Sequence, residues 1–300
     1  MNNDRIQEIL DLMEEARLDY FLISDPQSIA YCTGYYNDPH ERMFVFMISK
    51  HGNHTLFMND LFYLDHDLDV NIVWHKDGQD AIQTIVDEMH FPGRIGIDKN
   101  WASHFLLDLM KKLPDAKYIN ASPCVDLVRM KKDLQEQVLM IESSKINDAV
   151  MEEIIPFIQE GVTEKQLAKK LDELFFNHHS TCYGAIVAFG KNAADPHHEN
   201  DDTLLRKGDC VLIDMGCVYK GYCSDMTRTF FYEGILEEEI KVYEIVKKAN
   251  EVRKNKNNAE KIIYSIDYVG YLNDNILSII IKSSLKQGNN PQRIIIQTYN

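Results

Sequence analysis

Residues 210–230, with the sequence CVLIDMGCVYKGYCSDMTRTF, decide how the second half of this chain folds. Residues typical of strands flank Lys220-Gly221, a dipeptide suited to a tight turn, so the segment predicts a β-hairpin. Asp214 and Asp225 each stand inside one of these apolar strands. A hairpin that turns at Lys220 and Gly221 places the two aspartates near each other across the strands.

Two carboxylates so close together are unfavourable unless something compensates their charge. A carboxylate within an apolar strand costs free energy unless it is paired or bound to a metal, and like charges on facing strands destabilise the sheet. We therefore predict that Asp214 and Asp225 together bind a divalent cation. For either aspartate alone, the alternative is an ordinary salt bridge, with Arg228 close by in the sequence.

A second candidate is the histidine pair His197-His198, which follows the turn-forming residues 190–195 and precedes the strand of Asp214. An imidazole at this position could hydrogen-bond a substrate carbonyl or transfer a proton near neutral pH. The alternative interpretation is two solvated loop histidines.

The preceding residues predict a small α/β domain followed by two helices. Helical patterns lie at 3–17, 80–89 and 101–113, and strand patterns at 20–23, 43–48, 55–58, 95–97 and 117–119. A long helix is expected over residues 133–159, with Val138, Ile141, Ile146, Val150, Ile154 and Ile158 on its apolar positions. Thr163 and Gln166 have the spacing of a capping box that begins a further helix.

The composition changes after Asn250. Residues 251–300 contain ten Ile and eight Asn, with seven basic against four acidic residues, in a chain whose net charge is −15. We expect an atypical tail here: either a solvated extension or the product of a reading-frame change, the interpretation that we favour.

The overall charge and the cysteines limit the class of protein. A net charge of −15 without a basic run argues against nucleic acid as a partner. The sequence shows neither a signal-peptide pattern nor an apolar run long enough to span a membrane, so we expect a cytoplasmic protein without a membrane partner. The six cysteines are expected to be reduced thiols.

Three segments, residues 189–198, 207–216 and 219–229, resemble the pita-bread metallopeptidases, and most closely the Xaa-Pro dipeptidases (prolidases) and aminopeptidase P. Residues 19–24 and 29–35 resemble the creatinase-like N-terminal domain of the same family. The resemblance implies an α/β creatinase-like domain over residues 1–122. It also implies the first half of an α+β pita-bread catalytic domain over 123–250, followed by the atypical tail over 251–300.

The resemblance further implies a centre of two divalent metal ions, usually manganese, with cobalt or zinc as alternatives. Asp214 matches the aspartate that binds one metal through both oxygens, Asp225 matches the bridging aspartate, and His197 matches the histidine that contacts the substrate. The implied substrate is a proline-containing dipeptide or short peptide, cleaved at the Xaa-Pro bond, and the implied assembly is a homodimer.

The chain departs from the family pattern after His198. The family completes its metal site with one later histidine and two later glutamates, whereas here no histidine follows His198 and neither glutamate motif is visible. We therefore expect an impaired metallopeptidase. The alternatives are a non-catalytic binding protein of the same fold, a truncated gene product, and a metal-free enzyme of the creatinase type, which the presence of both aspartates disfavours.

Overall fold

The computed structural model describes residues 1–90, 92–237, 239–245, 248, 265–273 and 276–283, the last two ranges by their backbone. The chain divides into two units, Met1–Lys131 and Lys132–Asn300. Each helix within the described ranges is too short or too polar to cross a membrane.

The first unit is a mixed six-stranded sheet in the order β4-β3-β2-β1-β5-β6. Its strands are β1 (Tyr20–Ile23), β2 (Val45–Ser49), β3 (Thr55–Asn59), β4 (Asn71–His75), β5 (Arg94–Ile97) and β6 (Lys117–Asn120). Its helices are α1 (Asn3–Glu15), α2 (Pro26–Thr33), α3 (Ala81–Glu88), α4 (Ser103–Lys112) and α5 (Ser122–Met130). The predicted α/β character of this region is confirmed.

Alternating side chains of the strands divide the core of the first unit between two faces of the sheet. Phe21 and Ile23 of β1 pack with the buried residues of α1, α2 and α5. Tyr20 and Leu22 pack on the other face with buried residues of α3 and α4. Helix α5 contributes Val125 and Val128 to the first of these cores, and the unit accordingly ends at Lys131 rather than at the expected residue 122.

The second unit packs two helices against one face of an antiparallel sheet. Up to Tyr232 its described α-helices are α6 (Leu134–Ile154) and α7 (Glu164–Asn177), and its described strands are β7 (Thr181–Cys182), β8 (Ile186–Phe189), β9 (Cys210–Tyr219) and β10 (Tyr222–Tyr232). Residues 239–245 are helical as well. Both β7 and β8 pair with β9. The capping box of Thr163 and Gln166 is present at the start of α7, as the sequence predicted.

Helix α6 turns a more polar face to the sheet than its sequence indicated. Val150 and Ile154 are buried as expected, but Val138 and Ile141 are exposed. Ser143 is buried instead, because its hydroxyl donates a 2.9 Å hydrogen bond to Ser224 Oγ on β10, whose own hydroxyl donates to the Ser143 carbonyl. Hydrogen bonding to the sheet removes the usual cost of burying a hydroxyl.

Of the expected tail, residues 251–264, 274–275 and 284–300 lie outside the described residues. Between them the backbone forms β11 (Ser265–Asn273) and β12 (Ile276–Ser283), an antiparallel pair. Strand β12 pairs with Phe231 and Tyr232 at the end of β10.

Candidate active site

The β9–β10 hairpin brings the two predicted metal ligands onto one face of the sheet. Lys220 and Gly221 both have positive φ, which suits the tight turn that joins twisted antiparallel strands. Asp214 pairs directly with Thr227 and Asp225 with Gly216. The aspartates are therefore diagonal neighbours rather than directly opposite, a placement that in antiparallel sheets corresponds to roughly 7–8 Å between Cα atoms.

The face that carries the aspartates is the one turned away from the helices. Alternate residues of β9, among them Ile213 and Met215, belong to the apolar core under α6 and α7. Asp214 is half-buried and Asp225 is exposed. Carboxylate oxygens on an accessible face are suitable ligands for a hard divalent ion.

Thr227 fixes one oxygen of Asp214. Its buried hydroxyl donates a 2.7 Å hydrogen bond to Asp214 Oδ1 from the directly opposite position on β10. A hydrogen bond of this kind fixes the orientation of a carboxylate that acts as a ligand.

Tyr183 lies against the same face of the β9–β10 hairpin. Its hydroxyl donates a 2.6 Å hydrogen bond to the Ser224 carbonyl. The side chain passes so close to Gly216 that a Cβ on this glycine would lie 2.1 Å from the Tyr183 hydroxyl oxygen. Burial, together with the negative charges of Asp225 and Asp214, raises the pKa of Tyr183 above its usual range.

His197 lies on an exposed loop between β8 and β9. Its backbone N–H donates to Asp195 Oδ1 at 3.0 Å, which stabilises a turn at the top of the loop. The loop leads into the same strand that carries Asp214. The structure thus joins Asp214 and Asp225 on one face and puts His197 on a neighbouring segment.

A second cluster, formed by Glu164, His198 and Asp201, has the composition of a metal site. Each of the three side chains offers one potential ligand atom, and these atoms all lie within 4.8 Å of one another. His198 Nε2 lies 2.6 Å from Glu164 Oε2. Glu164 also accepts hydrogen bonds from the backbone N–H of Phe189 and of Asp201 and from the Asn192 amide. Since donors already occupy both carboxylate oxygens, a structural role explains this cluster better than a metal.

Asp214 and Asp225 alone, among the described residues, do not form a complete centre for two divalent ions. No group of three potential ligand side chains that includes Asp214 or Asp225 was found in the described ranges. Divalent ions such as manganese prefer about six ligands, many of which must come from protein in a tight site.

Sequence reasoning did not identify Thr227, Tyr183 or Glu164 as parts of this region. Thr227 could have been found from the hairpin, because a turn at Lys220 and Gly221 fixes its pairing with Asp214. Tyr183 and Glu164 gave no comparable signal, since their contacts join segments that are distant in the sequence.

Comparisons with known proteins agree with both units. Residues 5–131 match the creatinase/prolidase N-terminal domain, and residues 138–256 match metallopeptidase family M24. An uncharacterized peptidase of Staphylococcus aureus is 27% identical over 254 residues, which cover 82% of this chain and 71% of that protein.

Two solved structures show the likeness in three dimensions. A prolidase from Thermococcus sibiricus is 28% identical, with a TM-score of 0.77, over 88% of this chain and 74% of the prolidase. A dipeptidase from Pyrococcus horikoshii is 27% identical, with a TM-score of 0.74, over 97% of this chain and 87% of the dipeptidase.

Proposed function

We propose that the site of this chain is of the Xaa-Pro dipeptidase type. Its second unit has the M24 metallopeptidase domain, which residues 138–256 match, and its first unit has the creatinase/prolidase N-terminal domain, which residues 5–131 match. The proposed substrates are proline-containing dipeptides or short peptides. The likeness to the Thermococcus sibiricus prolidase supports this specificity, as do the residues around His197, Asp214 and Asp225.

Asp214 and Asp225 are the proposed metal ligands, and their common face on the β9–β10 hairpin is the observation that carries the proposal. Thr227 holds the Asp214 carboxylate in a fixed orientation. A bound divalent ion would polarise the peptide carbonyl and make a bound water more acidic. Manganese is the proposed metal, with cobalt or zinc as alternatives.

His197 is the proposed substrate contact. An imidazole N–H on this loop can donate a hydrogen bond to the carbonyl oxygen of the peptide bond and stabilise the negative charge that develops there. Its exposure leaves it accessible to a peptide.

We further propose that this polypeptide is an impaired peptidase. Two carboxylates supply fewer ligands than a pair of divalent ions requires. The 300 residues also contain no histidine after His198. Loss of a general base typically lowers a rate by a factor of about 10²–10⁴.

A cytoplasmic location and a homodimer complete the proposal. Sedimentation velocity of the purified chain tests whether it forms the dimer.

Hydrolysis of Gly-Pro in the presence of Mn²⁺ tests the proposed activity, with the Thermococcus sibiricus prolidase as reference. We expect cleavage at least roughly 100-fold slower than by the reference enzyme, with the residual activity abolished by Asp225→Asn. The control Asp108→Asn changes an exposed aspartate of α4 and should have no effect. Residual cleavage that survives both a chelator and Asp225→Asn would contradict the proposed site.

A further inference from the structure

Glu164 is a fully buried acid whose contacts are not explained by the metal site. Its side chain has 0% exposure, although it stands in the first turn of α7. A buried carboxylate is costly unless donors satisfy its oxygens. The identity of these donors indicates what this carboxylate does.

Four donors converge on Glu164. Oε1 accepts from the Phe189 backbone N–H at 2.8 Å and from Asn192 Nδ2 at 3.0 Å. Oε2 accepts from the Asp201 backbone N–H at 3.0 Å and lies 2.6 Å from His198 Nε2.

These donors lie on both sides of His197 in the sequence. Phe189 and Asn192 stand at the start of the segment that leaves β8, whereas His198 and Asp201 stand just after His197. One carboxylate therefore ties together the two ends of the His197 loop, which we define as residues 190–203.

The start of α7 strengthens the same connection. The backbone N–H of Glu164 donates to the Thr203 carbonyl, and that of Lys165 donates to the Asp201 carbonyl, both at 3.2 Å. These are first-turn N–H groups, which lack partners inside their own helix. The helix N-terminus and its buried carboxylate thus hold the loop with both backbone and side-chain bonds.

We propose that Glu164 is a positioning residue for His197: its carboxylate fixes both ends of the His197 loop and so sets the position of the imidazole that the loop carries. The importance of that position to a substrate rests on the proposed function. The fixing of the loop does not, because it follows from the four hydrogen bonds alone.

Glutamine cannot replace Glu164 here, although it has nearly the same shape. Each carboxylate oxygen faces a backbone N–H, from Phe189 on one side and Asp201 on the other. Whichever way the amide turns, its NH₂ group meets one of these donors. Hydrogen bonds to a charged group are stronger than those between neutral groups, so Glu164→Gln should release at least one end of the loop.

The direct test observes His197 itself. Its ring signal in a ¹H–¹³C spectrum is assigned by its disappearance in His197→Gln. Glu164→Gln should shift and broaden this signal and speed amide exchange across residues 190–203 at least tenfold. The matched control Glu173→Gln, at an exposed position of the same helix, should change neither. Asn192→Ala removes one donor and should act in the same direction more weakly, and it decides the matter if Glu164→Gln does not fold. An unchanged His197 signal and unchanged exchange in a folded variant would overturn the proposal.

A double-mutant cycle tests whether Glu164 acts through His197. The affinity for Gly-Pro in the presence of Mn²⁺ is measured for the wild type, Glu164→Gln, His197→Ala and the double variant. We expect Glu164→Gln to weaken binding at least threefold in the wild type and not at all in the His197→Ala background. An equal loss in both backgrounds would show a general effect on the fold and refute the positioning role. If the wild type does not bind Gly-Pro, the proposed substrate fails, and the ring signal and amide exchange still decide the role of Glu164.

Discussion

Gly216→Ala is the most demanding test of the site geometry. Gly216 pairs with Asp225, and a Cβ at this position would lie 2.1 Å from the Tyr183 hydroxyl oxygen and 2.3 Å from the Ser224 carbonyl oxygen. The Ser224 carbonyl is backbone of the neighbouring strand, so it cannot move without displacing β10. The Tyr183 ring would also have to leave, with loss of its hydrogen bond to Ser224.

The expected cost follows from these contacts. Overpacking by one methyl group costs about 1–3 kcal/mol, and loss of a hydrogen bond about 1 kcal/mol. We therefore expect Gly216→Ala to lower the free energy of unfolding by about 2–4 kcal/mol. The measurement is urea unfolding followed by near-ultraviolet circular dichroism, which reports on tyrosine packing.

Two further variants make the result specific. Gly234→Ala is the matched control, because a Cβ there would approach other atoms no closer than 4.0 Å; its effect should stay within about 0.5 kcal/mol. Tyr183→Ala combined with Gly216→Ala should cost less than the sum of the two single changes, since the ring no longer opposes the methyl. If Gly216→Ala is as stable as the wild type within about 0.5 kcal/mol, the described packing of Tyr183 on the hairpin is wrong.

Three other changes test separate parts of the structure. Lys220 has φ +48°, a conformation that asparagine adopts more readily than lysine before a glycine. Lys220→Asn should therefore stabilise the second unit by about 0.5–1 kcal/mol, as measured by urea unfolding. A loss of stability would contradict the described conformation of the turn. Hydrogen bonds from Thr203 lower the pKa of Asp201 below its ordinary value of 3.8. The ionised Asp201 carboxylate therefore stabilises the fold above pH 3.8, and this stabilisation is lost as the pH falls through the lowered pKa. Thr203→Val should raise that pKa in an NMR titration, whereas an unchanged value would exclude the hydroxyl as its cause. Burial raises the pKa of the half-buried Cys210 thiol to about 12 and of Cys182 to about 11, and it also raises the pKa of Cys223. Because Cys223 is the exposed one of the six cysteines, Cys223→Ser should abolish the fastest phase of thiol labelling at pH about 8.5; a remaining fast phase would place another thiol at the surface.

The sequence predicted those elements whose pattern is local. Five strands of the first unit and the capping box before α7 rest on short apolar runs and on a short spacing, and the structure confirms them. Strand β4 (Asn71–His75) was not predicted. The hairpin was also predictable, because the strand content and the turn at Lys220 and Gly221 agree. Their agreement was enough to bring Asp214 and Asp225 onto one face.

The sequence did not predict features that depend on contacts between distant segments. The buried face of α6 was misjudged because Ser143 finds its partner on β10, 81 residues later. The same limit hid Glu164, whose donors lie between Phe189 and Asp201. The aspartates are diagonal rather than opposite, which weakens the expected repulsion between them without separating them from a common ligand.

Calorimetric titration of the purified chain with Mn²⁺, beside Asp225→Ala, measures how many metal ions Asp214 and Asp225 bind and how tightly. We expect weak binding of at most one ion, with a dissociation constant of about 10⁻⁴–10⁻³ M, the range of sites with few charged ligands, and loss of this binding in the variant. Tight binding of two ions to the wild-type chain would contradict an impaired half-site and would show that other residues complete the metal centre.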